Sequence, residues 1–200
     1  MLGFADEVWW SRQQQPNLHT WADIDHPLRL VEQTVAPSDT DPKALACYGV
    51  LLRSQGLIES QKSQESVWLR FVARRPVSAV TIQFLEWCCT RLTQQQVPVW
   101  VLVWVLIWDN ASWHISKLVR SWIRAHNQTV KRTGLGVRLL VCQLPIKSPW
   151  LNPIEPQWVH GKRAIVEPTR LLSADELADR ICAYFACPHE PHLSVPDKVA

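Results

Sequence analysis

The sequence predicts an α/β fold, a mixed β-sheet with helices on both of its faces. Residues 99–108 are ten consecutive apolar residues, largely β-branched or aromatic, as in a strand that is covered on both sides. Apolar residues at positions 77, 80, 84, 85, 88 and 92 instead follow the period of an amphipathic helix. Strand-like and helix-like segments alternate through the rest of the chain. Its 200 residues, 47% hydrophobic and 20% charged, fit one globular domain and exclude intrinsic disorder.

The first third of the chain predicts three strands. Residues 2–12 alternate, so that Leu2, Phe4, Asp6, Val8 and Trp10 share one face. A polar stretch at 13–17 turns the chain, and residues 19–24 return as a second strand. Residues 27–42 carry no clear pattern. Residues 45–52 predict a third strand, which the apolar pair at 57–58 extends.

Helices and strands then alternate. The helix over 77–92 leads into residues 99–108, which we expect to be the central strand. A helix over 115–127 and a strand over 137–144 follow, separated by Gly134 and Gly136. A proline-rich loop at 145–153 precedes a helix over 154–164. The last helix spans 174–185, where Ser173 is the N-cap and Glu176 completes a capping box.

Positive charge is concentrated in one part of the chain. The formal net charge is only +3. Residues 110–170, however, hold ten Lys or Arg and only two acids, Glu155 and Glu167, which gives that segment a net charge of +8. Such a segment indicates a surface that faces a polyanion, although a solvated helix face would have the same composition.

The apolar run and the cysteines place the chain in a reducing, aqueous compartment. The ten residues at 99–108 are half of the roughly 20 that a membrane-spanning helix needs, and the first residues show no secretion signal. The six cysteines contain no Cys-x-x-Cys pair, so we expect buried free thiols in the cytoplasm. One alternative is a zinc site at Cys182, Cys187, His189 and His192, but their spacing is irregular.

Three acids lie where predicted strands or helices begin or end. Asp6 lies in the first strand, Asp109 ends the apolar strand, and Glu155 opens a helix. A carboxylate beside so much apolar surface is costly unless it has a partner, and Mg²⁺ or Mn²⁺ is a natural partner for oxygen ligands. Each acid also has a structural reading, because Asp109 would cap the next helix, Asp6 would be a hairpin acid, and Glu155 would favour a helix N-terminus.

Three motifs resemble those of a known family. They are FADEVWW (4–10), IWDNASWH (107–114) and LPIKSPWLNPIEPQW (144–158). Together they resemble the DDE transposases of the mariner-like superfamily, in its bacterial insertion-sequence branch. The resemblance covers residues 1 to about 185. It implies a ribonuclease-H-like fold with a five-stranded mixed sheet flanked by helices, in which residues 1–186 form the catalytic domain and 187–200 a flexible C-terminal tail.

The resemblance also implies a mechanism and a set of site residues. Asp6, Asp109 and Glu155 match the family's catalytic triad, which would hold two Mg²⁺ or Mn²⁺ ions. The reaction would be DNA strand cleavage at the inverted-repeat ends of a transposon, followed by strand transfer into target DNA. The interval between the second and third acids leaves room for a loop insertion at 127–136. The residues expected to contact DNA are Asn110, His114, Lys117, Arg120, Arg124, Lys147, Asn152, Lys162 and Arg163. Asn110 and His114 have a second role available, the tuning of Asp109, and Trp158 is expected to pack beneath the site.

The chain departs from the family at its start, where the helix-turn-helix segments that recognise transposon ends are absent. We therefore expect a separate helix-turn-helix subunit from a split gene, a homodimer on DNA, and a location in the cytoplasm at the nucleoid. One alternative is a truncated, inactive remnant that binds DNA or a partner transposase subunit. A second alternative is a nuclease with the same fold that performs no transposition.

Overall fold

The computed structural model describes residues 1–13, 25, 35–54, 64–95, 101–165, 167 and 170–194. The strands are β1 (Leu2–Ser11), β2 (Ala44–Ser54), β3 (Gln64–Val72), β4 (Leu102–Trp108) and β5 (Val137–Gln143). The helices are α1 (Ser78–Gln95), α2 (Lys117–Thr133), α3 (Glu155–Ala164) and α4 (Ala174–Tyr184), and a short 3₁₀ turn spans Pro149–Leu151. The strand expected at 19–24 and the extension at 57–58 lie outside the described residues.

The strands form one mixed sheet in the order β3-β2-β1-β4-β5. β1 is antiparallel to β2 and parallel to β4, β3 is antiparallel to β2, and β5 is parallel to β4. The predicted α/β fold with a five-stranded mixed sheet flanked by helices is therefore confirmed. The expectation that residues 99–108 form the central strand is wrong, because β1 occupies the centre and β4 lies beside it.

Each face of the sheet carries its own hydrophobic core. On one face, α1 and α2 cover the sheet, and Trp104, Trp108 and Phe84 are among the buried residues. On the other face, α3 and α4 bury Trp10 and Trp158 with their neighbours. Because side chains alternate along a strand, β1 contributes to both cores. Tryptophans therefore provide much of the buried surface in both layers.

The strand β4 is covered less evenly than its sequence predicts. Trp104, Leu106 and Trp108 face α1 and α2 and are almost completely buried. On the opposite face Val103 is 40% exposed. In the described part of the chain, α3 and α4 lie over β1 and β2, so that face of β4 is covered only partly.

Helix α2 is longer than expected and removes the predicted loop insertion. Residues 127–133 continue the helix, which ends at Gly134 in the left-handed conformation (φ 68°). Asn127 fixes this end to the sheet, since its Nδ2 donates to the carbonyl of Leu139 (2.8 Å) and its Oδ1 accepts from the Leu139 amide (2.9 Å). In the sequence interval between Asp109 and Glu155, residues 127–133 are thus helix and not an inserted loop.

Strand β3 has no counterpart in the sequence prediction, and the C-terminal segment explains why. Arg70 interrupts the apolar pattern of this strand, but it forms an ion pair with Glu190 (3.2 Å). Leu193 is buried, and it exchanges backbone hydrogen bonds of 2.8 Å with Phe71 and Ala73. Residues 187–194 therefore pack against β3 and do not form the flexible tail expected there; residues 195–200 lie outside the described part.

The predicted free cysteines are confirmed, although not all are buried. All six are unpaired; four are buried, Cys187 is half-buried and Cys142 is exposed. Over the described residues, no helix has the length and apolar character needed to cross a membrane.

Candidate active site

The parallel pairing of β1 and β4 brings the first two acids together. Phe4 pairs with Ile107, and Asp6 and Asp109 each follow two residues further along their strands. Because side chains repeat every two residues, both carboxylates lie on the face that carries Phe4 and Ile107. Asp109 directly follows β4, whereas Asp6 lies within β1, just past the last residue of β1 that pairs with β4. Residues far apart in sequence thus become neighbours through strand register alone.

The loop between β5 and α3 carries the third acid to the same edge. Nδ2 of Asn152 donates to the backbone carbonyl of Ala5, one residue before Asp6 (3.1 Å). Nδ2 of Asn110 donates to the carbonyl of Leu144 at the start of the loop (2.6 Å). Since Asn152 is almost completely buried, it fixes the backbone just before α3, where Glu155 is the first residue.

The three carboxylates line one cleft of about 390 Å³. The other residues that line it are Asn110, Ala111, Leu144, Pro145, Ile146, Lys147, Ser148, Pro149 and Asn152. The three acids therefore lie beside a loop in which Ile146 and Lys147 are exposed. Three carboxylates in one cleft favour the binding of cations.

Asp6 is held by the indole of Trp158. Nε1 of Trp158 donates to Oδ2 of Asp6 (2.9 Å), and Gly49 pairs with Asp6 across the β1–β2 ladder. A Cβ on Gly49 would lie 2.2 Å from Cη2 of Trp158, so only glycine leaves room for the ring. Burial and the nearby charge of Glu155 raise the pKa of Asp6 to about 7. The prediction that Trp158 packs beneath the site is confirmed.

Asp109 is held by a buried histidine. Oδ1 of Asp109 accepts the backbone amide of Ala111 (2.9 Å) and lies 2.7 Å from Nδ1 of His114. The hydrogen bond from His114 holds the pKa of Asp109 below its usual range. Although burial lowers the pKa of His114, its hydrogen bonds to Asp109 and Glu7 outweigh that effect and raise the pKa to about 9.

Glu155 is coupled to the other two acids. Burial raises its pKa, the ammonium of Lys162 opposes the shift, and the charge of Asp109 adds to it. Glu155 also raises the pKa of Asp6. Glu155 thus repels each of the other two carboxylates, and all three line the same cleft, which is the setting in which a cation stabilises them.

The donor set of the cleft fits a hard divalent cation. Three carboxylates supply only oxygen ligands, which is the preference of Mg²⁺ and Mn²⁺. Within the described ranges, however, no three His, Cys, Asp or Glu side chains are close enough to hold one ion together. The same finding applies to the cysteines and histidines of the C-terminal segment, so the zinc alternative gains no support. The acids converge on one cleft without forming a closed metal cage.

Two residues expected to contact DNA are buried instead. His114 is 2% exposed and uses both ring nitrogens on carboxylates. Asn152 is also 2% exposed and directs its amide to Ala5. His114 is therefore not free to contact DNA in this structure, because both of its ring nitrogens are bonded. Asn152 lines the cleft and its Oδ1 has no hydrogen-bond partner among the described residues, so DNA contact by Asn152 stays a prediction. Asn110 lines the cleft, but its amide nitrogen is bonded to Leu144.

The basic candidates are all on the surface. The exposed side chains are Lys117, Arg120, Arg124, Lys147, Lys162 and Arg163. Lys147 lines the cleft with a φ of 58°, and Lys162 acts on the pKa of Glu155. Lys117 and Arg120 lie in the first turn of α2, which follows the segment that contains Asp109 and His114.

Glu7 is the site residue that the sequence reasoning missed. It lies next to Asp6 in β1 and its Oε1 lies 2.7 Å from Nε2 of His114. The signal was present, because the Asp-Glu pair and the His of Asp-Asn-x-x-x-His both belong to the quoted motifs. Alternation places Glu7 on the opposite face from Asp6, so a search for residues that share the cleft passes over it.

Comparisons with known proteins agree with this geometry. The sequence profile of the DDE superfamily endonucleases matches residues 2–178. The fold is similar to the Mos1 transposase paired-end complex with left transposon end (TM-score 0.61, 16% identity) and to the Mos1 mariner paired end complex with Mn (TM-score 0.60, 16% identity). It is also similar to a pre-cleavage Mos1 transpososome (TM-score 0.59, 14% identity). Among curated protein sequences, none matches significantly.

The alignments to the Mos1 structures cover most of this chain but only part of theirs. Each covers 94% of this chain, and 48–49% of the Mos1 chain. The chain therefore spans about half the length of the solved proteins that it resembles. At this level of identity the likeness establishes the ribonuclease-H-like fold.

Proposed function

Since the chain belongs to the DDE superfamily of endonucleases, we propose that it is a transposase catalytic domain that cleaves DNA at transposon ends and transfers the cut strands to target DNA. The observation that carries this proposal is the meeting of Asp6, Asp109 and Glu155 in one cleft, where the parallel pairing of β1 and β4 ends. The likeness in fold to Mos1 complexes that contain transposon ends supports DNA as the substrate.

The three acids would hold the divalent cations that this chemistry needs. Two Mg²⁺ or Mn²⁺ ions would activate the attacking water or 3′-hydroxyl and stabilise the leaving oxygen of the phosphodiester. The chain's own part is to present carboxylate oxygens at fixed positions. Trp158 holds Oδ2 of Asp6, and His114 and Ala111 hold Oδ1 of Asp109. Cation binding would also offset the burial and the repulsion that raise the pKa of Asp6 and of Glu155.

Exposed basic side chains around the cleft would bind the DNA backbone. Lys147 lines the cleft itself, Lys162 and Arg163 lie on α3 after Glu155, and Lys117, Arg120 and Arg124 lie on α2. Contacts of this kind with phosphates give affinity that depends on salt and little on sequence. Recognition of a particular transposon end would therefore come from a helix-turn-helix region, supplied by a separate subunit, and the active assembly would be a homodimer at the nucleoid.

Cleavage of a supercoiled plasmid and of oligonucleotides with Mg²⁺ or Mn²⁺ tests the proposal. We expect metal-dependent nicking by the purified protein, loss of nicking in Asp109→Ala, and full nicking in Asp179→Ala. Asp179 is the matched control, since it is an exposed aspartate on α4 that is also hydrogen-bonded to a histidine. Joining of a 3′-hydroxyl end to target DNA distinguishes a transposase from a simple nuclease.

Two results would contradict the proposal. Equal nicking by Asp109→Ala would show that the cleft is not the catalytic site. Salt-dependent DNA binding by the folded wild-type protein, with no cleavage in either metal, would identify the inactive remnant that binds DNA or a partner transposase subunit.

A further inference from the structure

A fourth carboxylate, Glu7, lies behind the cleft on the opposite face of the sheet. Glu7 follows Asp6 in β1, so its side chain lies on the α1 and α2 side while Asp6 faces the cleft. Its side chain is only 9% exposed, and Oε1 lies 2.7 Å from Nε2 of His114. Burying a carboxylate in this way is costly unless the contact compensates for the lost hydration.

His114 connects Glu7 with Asp109. Its Nδ1 lies 2.7 Å from Oδ1 of Asp109, and its side chain is 1% exposed. An ionised carboxylate only accepts hydrogen bonds, so a ring between two carboxylates donates from both nitrogens. The imidazole also stacks on the indole of Trp108, with ring centres 4.3 Å apart and planes 4° from parallel. The ring is therefore fixed by two hydrogen bonds at its edges and by one aromatic face.

We propose that Glu7 is a positioning residue of the active site, which locks His114 so that the ring holds Oδ1 of Asp109 and leaves Oδ2 for the divalent cation. The inference rests on the proposed function, because it assigns Glu7 a part in cation binding at that same site. Glu7 does not line the cleft, so it would act on the cation only through His114 and Asp109.

The physical reason is that the hydrogen bond to Glu7 keeps the ring of His114 in one orientation. Without an acceptor at Nε2, a buried N–H would be left unpaired, which costs about 1–3 kcal/mol. The ring would then turn, or present a lone pair to Asp109, and the carboxylate would lose its fixed orientation. Partners one step behind a metal ligand act in this way on the ligand's orientation, and their loss typically costs 10–100-fold in metal affinity or activity.

The experiment compares variants that differ mainly in hydrogen-bonding ability. Glu7→Gln keeps an oxygen acceptor for Nε2 of His114, whereas Glu7→Met has a similar length and no comparable acceptor. Glu7→Ala is a second acceptor-free variant in case Glu7→Met does not fold. Glu65→Ala is the control, since Glu65 is a carboxylate of β3 whose partner is the exposed Arg53. Mg²⁺ and Mn²⁺ binding is measured by calorimetry without DNA, and nicking is measured against metal concentration.

We expect Glu7→Met to weaken metal binding, and to raise the metal concentration for half-maximal nicking, by roughly 10–100-fold. Glu7→Gln should recover most of this loss, and DNA affinity should change by less than about threefold because Glu7 lies away from the DNA-facing surface. A purely structural role would lower thermal stability and all activities together. Unchanged metal binding in a folded acceptor-free variant would overturn the inference.

The calorimetric measurement separates the two hypotheses. A wild-type protein that binds Mg²⁺ through Asp109 but cuts no DNA would contradict the proposed function, and the effect of Glu7 on that binding would still decide the inference. If the wild type cuts DNA and the Glu7→Met variant cuts it equally well at every metal concentration, the inference alone is contradicted.

Discussion

Trp158 and Asp6 are joined by a hydrogen bond of 2.9 Å from the indole Nε1 to Oδ2, although 151 residues separate them in the chain. The bond ties α3 to the central strand. Because α3 begins at Glu155, one helical turn carries both a proposed catalytic acid and the residue that holds another of the three acids. The geometry of the triad therefore depends on the packing of a single tryptophan.

Gly49→Ala tests this dependence. The new Cβ would lie 2.2 Å from Cη2 and 2.6 Å from Cζ2 of Trp158, so the indole must move away from Asp6. We expect the free energy of unfolding to fall by about 1–3 kcal/mol, as in overpacked cores, and DNA nicking to fall with it. Adding Trp158→Phe removes the clashing atoms and should restore part of the stability. Nicking should stay low in the double variant, since Phe has no N–H for Asp6; recovery of nicking would contradict the role of the indole.

The metal-free protein should gain stability when Asp6 is neutralised. Its folded-state pKa is raised from 3.8 to about 7, so ionisation costs more in the folded than in the unfolded protein. The contribution of Asp6 to stability is therefore fully present below about pH 4 and is lost as the pH rises through 7. At pH 8 in EDTA, Asp6→Asn should unfold with a free energy higher by on the order of 2–4 kcal/mol, and at pH 4 the two should match.

Urea denaturation at the two pH values measures the effect, and Asp179→Asn is the exposed control. Mg²⁺ should then stabilise the wild type at pH 8 and fail to stabilise Asp6→Asn, because a ligand stabilises the state that binds it. Equal stability of wild type and Asp6→Asn at pH 8 would show that Asp6 is not strained in the folded state.

The elements that the sequence predicts well have strong local patterns. The period of α1, the alternation of β1 and the capping box of Ser173 and Glu176 are all present in the structure. Asp6, Asp109 and Glu155 could be selected from the sequence because each lies within a specific motif, beside much apolar surface. Their meeting in one cleft follows from the parallel pairing of β1 and β4, which the order of elements favours.

The features that escape the sequence depend on contacts between distant segments. Strand β3 was not predicted because Arg70 interrupts its apolar pattern. Glu190, the ion-pair partner of Arg70, comes 120 residues later in the chain. The burial of His114 and Asn152 was not predicted, because polar residues in a DNA-binding motif suggest exposure, whereas both are buried and hydrogen-bonded. Burial of a polar side chain is decided by tertiary partners, which spacing along the chain does not reveal.

DNA affinity should depend on which end of α2 loses its charge. Helix α2 starts near the end of β4 that carries the cleft and runs back to the opposite end of the strands, where β5 begins. Replacing Lys117 and Arg120 by Gln should reduce the slope of log Kobs against log salt by roughly two, since each phosphate contact contributes about 0.9. The matched pair Lys131 and Arg132, exposed in the last turn, should leave the slope unchanged. Fluorescence anisotropy with labelled DNA at several salt concentrations measures both, and equal effects would place the DNA elsewhere.

Leu193→Ala tests whether the C-terminal segment belongs to the fold. Leu193 is 6% exposed and lies in the core shared with α1, so its truncation should lower the free energy of unfolding by about 2–3 kcal/mol. Ser194→Ala changes an exposed neighbour and should leave stability unchanged within about 0.5 kcal/mol. The Leu193 site is far from the cleft in the sheet order, on the β3 edge, so nicking by the folded variant should match the wild type. A flexible tail would instead give equal stability in all three proteins, and urea denaturation decides between the two outcomes.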